Sequence, residues 1–140
     1  MPKYWDKTIT IYNRYEDTIT GQITWYRHTL SNCFVKRTNI NVQIGNEHIQ
    51  TDDNIVRIPY QANYLSPYDW AASADKSAVI TLQTGDIIIA GSVDDVINEY
   101  ISGQRSTDVI AKYKALGVFK IKSVNENTSL PNRHYYVRGE

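Results

Sequence analysis

The sequence lacks most of the residues that build covalent, metal-bound or membrane-spanning structures. It has one cysteine, Cys33, so it can form no intramolecular disulfide and has no second cysteine for a zinc site. Its longest apolar run, 87–90, is far shorter than a bilayer span, and no apolar core of a secretion signal follows the first residues. These absences predict a soluble protein of a reducing compartment with no membrane partner.

A charge bias is also missing. Lys plus Arg number 15 and Asp plus Glu number 15, so the formal net charge is zero. A partner held by net attraction, such as nucleic acid or an anionic membrane, is therefore not predicted from composition, although local patches stay possible.

Residues that favour pleated sheets are abundant. The chain has 17 Ile, 10 Val and 12 Thr against 5 Leu, together with 11 Tyr. β-branched and aromatic side chains pack well on strands, so the composition predicts a mainly β protein, and 140 residues suit a single domain, 1–140.

Alternation of apolar and polar residues indicates where the strands lie. After Val35 the apolar phase of 32–44 shifts by one residue, which predicts a bulge or bend near Thr38. A Gly-Asn pair at 45–46 and a Thr-Gly-Asp turn at 84–86 separate strands. The predicted strands are 6–13 and 22–28, joined by a turn at 16–21, then 32–44, 54–59, 79–82, 87–91, 118–125 and 134–138, the last two forming a hairpin around the link 126–132.

Two short helices are predicted between residues 92 and 116. Ser92 and Asp95 are spaced as in a capping box, and a Ser-Thr pair at 106–107 can cap a second helix that stops at Gly117. The apolar stripes are Val93, Val96, Ile97 and Tyr100 in the first helix and Val109, Ile110, Tyr113 and Leu116 in the second.

The segment 60–78 has no sustained period. Unpatterned stretches of this length in compact domains tend to be functional or disordered. Its aromatic residues, which are Tyr60, Tyr64, Tyr68 and Trp70, favour a functional loop. A loop packed flat over one end of the domain by Tyr64, Tyr68 and Trp70 is an equally weighted interpretation.

No catalytic or metal-binding pattern stands out. The three histidines, His28, His48 and His134, are far apart, and Cys33 lies on the apolar face of a strand, as a core residue would. Two acidic pairs have structural explanations, because Asp52–Asp53 precedes a strand and Asp94–Asp95 opens a predicted helix. With no phosphate loop or nucleophile elbow, the sequence predicts no enzyme, no metal and no cofactor.

Aromatic residues near Lys36, Arg37 and Arg57 permit one alternative, a barrel that binds single-stranded nucleic acid by stacking bases in a basic groove. Tyrosines occur in nearly every segment, however, and aromatics at this density more often fill cores and protein interfaces.

Three segments, taken in order, resemble the head-closure or stopper proteins of tailed bacteriophages, which are minor capsid proteins of the head-to-tail connector. They are "DKTITIYNRYEDTITGQITWYRHTLSNCFVK", "VITLQTGDIIIAG" and "FKIKSVNENTSLPNRHYYVRGE". The family pattern I-x-S-V-x-x-N, followed by H-aromatic-x-V-x-G, falls on Ile121, Ser123, Val124, Asn127, His134, Tyr135, Val137 and Gly139. The chain departs from that pattern by the insertion 92–116 and by a tyrosine at 135 where the family often has tryptophan.

The resemblance implies a β-barrel. Combined with the strand and helix predictions above, it gives an antiparallel β-barrel of about six to eight strands, with the two-helix insertion at 92–116 and a C-terminal hairpin. It implies a virion protein of the head-tail junction, assembled in the bacterial cytoplasm, that forms a ring below the portal and adaptor, closes the DNA channel and contacts a tail-joining or tail-tube protein. Packaged double-stranded DNA would be a non-specific partner. A tail-completion protein of the same connector is a neighbouring alternative. Candidate channel-loop residues are Tyr64, Tyr68, Asp69, Trp70, Asp75 and Lys76, and candidate interface residues are Tyr100, Tyr113, Tyr135 and Tyr136.

Overall fold

The computed structural model describes residues 5–44, 47–127 and 133–140, so the predicted turn at 45–46 and most of the link 126–132 lie outside the described residues. Six strands and two short helices make up most of this part of the chain. The strands are β1 (Lys7–Glu16), β2 (Ile23–Ile44), β3 (Glu47–Pro59), β4 (Ile87–Ile89), β5 (Val118–Asn127) and β6 (His134–Gly139), and the helices are α1 (Pro67–Ala71) and α2 (Ser106–Lys112).

The strands form a closed barrel with the spatial order β1-β2-β3-β6-β5-β4, and all neighbouring strands are antiparallel. Short β4 closes the barrel by pairing with β1 on one side and β5 on the other. Closure leaves no strand edge around the barrel for unwanted pairing. The predicted mainly β class, the barrel and the C-terminal hairpin β5–β6 are confirmed.

Inward positions of the strands fill the barrel with branched aliphatic and aromatic side chains. Every strand contributes to this core, as period-two alternation predicts. Its buried members are Ile9, Ile11, Leu30, Cys33, Val56, Ile58, Ile80, Leu82, Ile88, Phe119, Ile121, Tyr135 and Val137.

β4 is buried on both faces. Ile88 belongs to the barrel core, whereas Ile87 and Ile89 belong to a second apolar cluster on the outside, and all three are 0% exposed. Segment 92–116 covers that outer cluster with Val93, Ile97 and Val109. The prediction that this strand is central is confirmed.

The first of the two predicted helices is wrong, because residues 92–103 form turns and extended chain. Side chains of β1 bind the backbone groups that a first helical turn would use. Thr10 Oγ1 accepts a hydrogen bond from Val93 N (3.1 Å), and Tyr12 OH donates to the carbonyl of Asp95 (2.6 Å). Contacts with a distant strand therefore override the capping pattern.

The second predicted helix is confirmed as α2. Asp108 Oδ2 accepts a hydrogen bond from Arg105 N (3.3 Å), which satisfies a donor at the helix start. At the other end Gly117 adopts φ of +120°, and its N–H donates to Tyr113 O (3.1 Å). The positive φ explains why glycine ends this segment.

The predicted strand 79–82 forms only a single parallel bridge, between Ile80 and Tyr64. The side chain of Asn13 bonds both backbone groups of Thr81: its Nδ2 donates to Thr81 O (2.6 Å) and its Oδ1 accepts from Thr81 N (3.3 Å). A side chain thus replaces the ladder that a strand partner would provide.

The predicted bulge near Thr38 is also wrong. Pairing with β3 is continuous from Phe34 to Ile44 in β2. The barrel sheet ends at Asn54, the last β3 residue that pairs with β6, opposite Gly139. Beyond that point the strands have left the barrel, so the apolar phase need not match its interior.

Candidate assembly surfaces

Beyond the barrel, β2 and β3 continue as a two-stranded arm, defined as residues 38–44 and 47–53. Seven consecutive pairs, from Thr38↔Asp53 to Ile44↔Glu47, extend past the last pair with β6. At about 3.3 Å per residue the arm projects roughly 20 Å. Within the described residues no third strand pairs with it, so both of its edges lack a sheet partner.

The arm is a two-stranded antiparallel ribbon, with Val42 paired to Ile49 near its middle. A lone two-stranded hairpin is marginally stable in water, so such an arm is suited to contact with a partner.

The loop 60–78 lies against the barrel and contains α1. Ser66 Oγ accepts from Asp69 N (3.4 Å) at the start of this five-residue helix, which is too short to show a periodic pattern. Trp70 of α1 is 1% exposed and packs edge-to-face on Tyr15 (6.0 Å between ring centroids) and Tyr26 (5.8 Å). Tyr15 and Tyr26 are in phase with the inward residues Ile11 and Leu30, so these contacts hold the loop over one end of the barrel.

Tyr64 attaches the start of the loop to the end of the barrel. Its ring lies 4.4 Å from that of Tyr135, and its hydroxyl donates to Glu126 Oε1 (2.6 Å). Burial, followed by the contact with Glu126, raises the pKa of Tyr64 above its ordinary value. Tyr64 is thus a packing residue in this chain.

The remaining channel-loop candidates face solvent to different degrees. Tyr68 is 85% exposed, and Asp69 and Asp75 are exposed while binding Ser66 and Ser77 within the loop. Lys76 Nζ lies 4.2 Å from the ring centroid of Tyr15. Of the six candidates, Tyr68, Asp69 and Asp75 are therefore the exposed ones.

The interface candidates are spread over the molecule. Tyr135 is 1% exposed in the barrel core, so its side chain offers no outer surface. Tyr100 is 58% exposed, and its hydroxyl accepts from Ile23 N (2.9 Å). Tyr113 is half-buried and bonds Asp95, while Tyr136 is half-buried on the outside of β6 beneath Arg57.

Asp94 and Asp95 do not open a helix, which corrects the interpretation of that pair. Asp95 instead accepts from Lys112 Nζ (2.9 Å) and from the hydroxyl of Tyr113, and these bonds hold the pKa of its carboxyl below the ordinary value. Asp94 lies 3.9 Å from Arg27 Nη1. Asp95 therefore joins the end of α2 to the turns before it, whereas Asp94 contacts β2.

A buried polar cluster at one end of the barrel was missed by sequence reasoning. Asp86, 0% exposed, accepts from Asn13 Nδ2 (2.9 Å), Arg14 N (3.0 Å) and Gln83 Nε2 (3.1 Å). Burial raises the pKa of Asp86 to about 7, although these donors act in the opposite direction. Asn13 follows Ile9 and Ile11 at an inward position of β1. A polar residue in that position is the sequence feature that could have predicted a buried polar cluster.

The described residues contain no cluster of three or more His, Cys, Asp or Glu side chains placed to hold a metal ion. Cys33 is 0% exposed in the core, as predicted, and burial raises the pKa of its thiol to about 12. His134 stacks edge-to-face on Trp5 at 5.4 Å, and His28 is half-buried. No described helix is long and apolar enough to cross a bilayer.

Two open clefts lie on the surface of the described residues. One, of about 280 Å³, is lined by Arg14, Tyr15, Glu16, Thr18, Trp70, Ala71, Gln83 and Thr84. The other, of about 330 Å³, is lined by Lys7, Val35, Arg37, Ala90 and Leu116 at the base of the arm. Their linings offer no triad of nucleophile, base and orienting group.

The chain belongs to a family of unknown function, DUF6751, whose model matches residues 4–140. Neither a search of curated proteins nor a search of solved structures found a match. The family model covers nearly the whole chain, and its description states no function.

Proposed function

We propose that this member of the family is a structural virion protein of a tailed bacteriophage, a head-closure protein that forms a ring in the head-to-tail connector. In that role it closes the DNA channel below the portal and adaptor and provides the attachment face for the tail. The role is architectural, without an enzymatic step or a cofactor.

The projecting arm is the observation that carries this proposal. A ring subunit needs complementary surfaces for its neighbours and an elongated segment that can cross a central channel. The arm extends past the barrel, and within the described residues neither of its edges has a strand partner. Copies arranged around an axis would supply the partners that a two-stranded hairpin needs for stability. The ordered resemblance to head-closure proteins supports the same role.

The arm replaces the loop 60–78 as the segment proposed to obstruct the channel. Tyr64 near its start and Trp70 in its middle attach that loop to the barrel. The arm, in contrast, pairs only with itself beyond Asn54.

An arm deletion tests the proposal. Replacing residues 39–52 with an Asn-Gly turn keeps every barrel pair up to Arg37↔Asn54, so the barrel is expected to fold. With portal and adaptor proteins present, native mass measurement and electron microscopy of the parent chain should show a ring, and assembled particles should retain DNA. The deletion variant is expected to lose DNA retention.

A matched control is the Tyr68→Ala/Asp69→Ala variant, which alters the exposed part of the loop and leaves the arm intact. We expect it to retain DNA. Persistent failure of the parent chain to associate with any connector component would refute the proposal. Association with a tail-tube protein but with neither portal nor adaptor would favour the tail-completion alternative.

A further inference from the structure

The outer face of β2, β3 and β6 carries basic and aromatic residues in register. Phe34 pairs with Arg57, and Arg57 pairs with Tyr136. Two residues further along, on the same face, Lys36 of β2 pairs with Ile55 of β3, and Ile55 pairs with Arg138 of β6. Because paired residues share a face and their immediate neighbours point into the core, all six lie on the outside of the barrel.

β5 adds two lysines to the same side. The pairing register shifts between Ile121 and Ser123, which leaves Lys122 as an extra residue opposite Arg138. A bulge of this kind turns both Lys122 and Ser123 outward while the strand keeps its inward positions on either side. Lys120 and Lys122 are both exposed. We name Lys36, Arg57, Lys120 and Lys122 the basic face.

The charge of this face is strongly asymmetric in a chain whose total charge is balanced. One acidic residue with a described side chain lies beside the basic face. It is Glu140, whose backbone is hydrogen-bonded to that of Lys120. Within the same described part, Lys36, Lys120 and Lys122 make no ion pair. Several uncompensated cations on one sheet create a local positive potential.

Arg57 indicates which anion fits. Its guanidinium carbon lies 5.1 Å from the ring centroid of Tyr136 and 6.0 Å from that of Phe34. The two half-buried rings are occupied by the guanidinium, so they are poorly placed to stack on bases. A guanidinium held in this way loses little entropy on binding, and its N–H groups match phosphate geometry.

We propose that the basic face binds the phosphate backbone of double-stranded DNA without sequence preference. The location of this binding rests on the proposed function, because the basic face would be the side of the barrel that faces the DNA channel in the ring. Each copy supplies few phosphate contacts, so binding is weak and steeply salt-dependent, with a Kd on the order of 10⁻⁴ to 10⁻⁶ M. Contacts of that strength hold DNA on the axis and exchange rapidly when it moves.

The test uses the isolated chain and a short fluorescent duplex, with anisotropy measured across a salt series. With about four phosphate contacts, the slope of log affinity against log salt is expected near about −4, or roughly a 100-fold loss between 50 and 200 mM salt. The Lys36→Gln/Lys122→Gln variant should reduce the magnitude of that slope by about 2. The matched control, Arg105→Gln/Lys114→Gln, removes two exposed cations elsewhere and should bind like the parent.

Several outcomes would overturn the inference. These are no duplex binding at low salt, equal losses in the two double variants, or tighter binding of a single strand that is abolished by Phe34→Leu/Tyr136→Leu. Unchanged duplex binding combined with loss of ring formation in the Lys36/Lys122 variant would instead assign the face to contacts between copies. Rings that do not bind duplex leave the proposed function intact, and a duplex-binding chain that never joins a connector refutes only that function.

Discussion

Asn13 and Asp86 are joined by a buried hydrogen bond of 2.9 Å, from Asn13 Nδ2 to Asp86 Oδ2, although they are 73 residues apart. Asn13 also binds both backbone groups of Thr81, and Asp86 Oδ1 accepts from Arg14 N (3.0 Å). One pair of side chains therefore connects β1 to the segment that leads into β4. It does so where β1 has no strand neighbour on that side.

This cluster predicts a pH-dependent stability. The pKa of Asp86 is about 7 in the folded chain against 3.8 as its ordinary value, so between those values the folded state binds the extra proton. Stability contributed by neutral Asp86 is therefore present below about pH 4 and lost as pH rises to about 7. The total change is at most about 4 kcal/mol.

The matched comparison is Asp86→Asn, which cannot ionise and keeps an acceptor for Arg14 N. The free energy of unfolding of the parent minus that of the variant, from urea denaturation, should fall between pH 4 and pH 8. A difference that stays constant across this range would mean that the three N–H donors stabilise the carboxylate enough to cancel the cost of burial.

Two glycines with crowded surroundings should respond differently to alanine. A Cβ on Gly139 would lie 2.9 Å from the backbone oxygen of Lys120, whereas a Cβ on Gly91 would lie 2.8 Å from the Cδ2 of Leu116. The backbone of β5 cannot move without disturbing the barrel, but Leu116 is 46% exposed and can rotate away. Gly139→Ala should therefore lower the free energy of unfolding by roughly 1–3 kcal/mol, and Gly91→Ala by clearly less.

Thermal and urea unfolding of the two glycine variants provide the measurement. Equal losses in both would contradict the distinction between a rigid and a movable neighbour. Each variant serves as the control for the other, because both add the same methyl group to the same fold.

Trp70 should anchor the loop 60–78. Trp70→Ala removes a side chain that is 1% exposed and packs on Tyr15 and Tyr26, and a loss of roughly 3 kcal/mol in the free energy of unfolding is expected. Limited proteolysis should then cut within 60–78. Tyr68→Ala, at a residue that is 85% exposed, should change neither stability nor cleavage.

A loop that extends freely would give a different result. If Trp70→Ala left stability and proteolysis unchanged, the loop would not depend on this contact, and it would return as a candidate for the channel segment. Equal effects of the Trp70 and Tyr68 variants would likewise contradict the packed arrangement.

Local patterns predicted the strands well and the insertion poorly. Ile9, Ile11, Val56 and Val137 are inward residues that alternation identifies without any tertiary information. The apolar stripe beginning at Val93 suggested a helix, but Val96 is 64% exposed while Ile97 is 4% exposed. Hydrogen bonds from Val93 N to Thr10 Oγ1 and from Tyr12 OH to the carbonyl of Asp95 hold that conformation, and local spacing does not encode a partner so distant in the chain.

Some candidate surface residues were identified correctly from the sequence, and others required the tertiary structure. Exposed Tyr68 and half-buried Tyr136 were named from composition and loop length, whereas the burial of Tyr135 follows from its inward position on β6. The phase shift after Val35 was detected in the sequence, yet its cause is that β6 stops pairing with β3 at Asn54. The position at which a strand extends beyond its neighbour depends on the lengths of both strands and on the closure of the barrel.

The amino-acid sequence by itself determined the strand-rich class, the inward residues and the absence of net charge, because these depend on composition and on a two-residue period. Tertiary structure decided that the barrel closes through β4, that 92–116 covers its outer face, and that the arm continues beyond the barrel. It also gathered Lys36, Arg57 and Lys122 from three strands onto one face. Strand pairing brings together residues from distant parts of the chain, and a local pattern carries no information about which of them will meet.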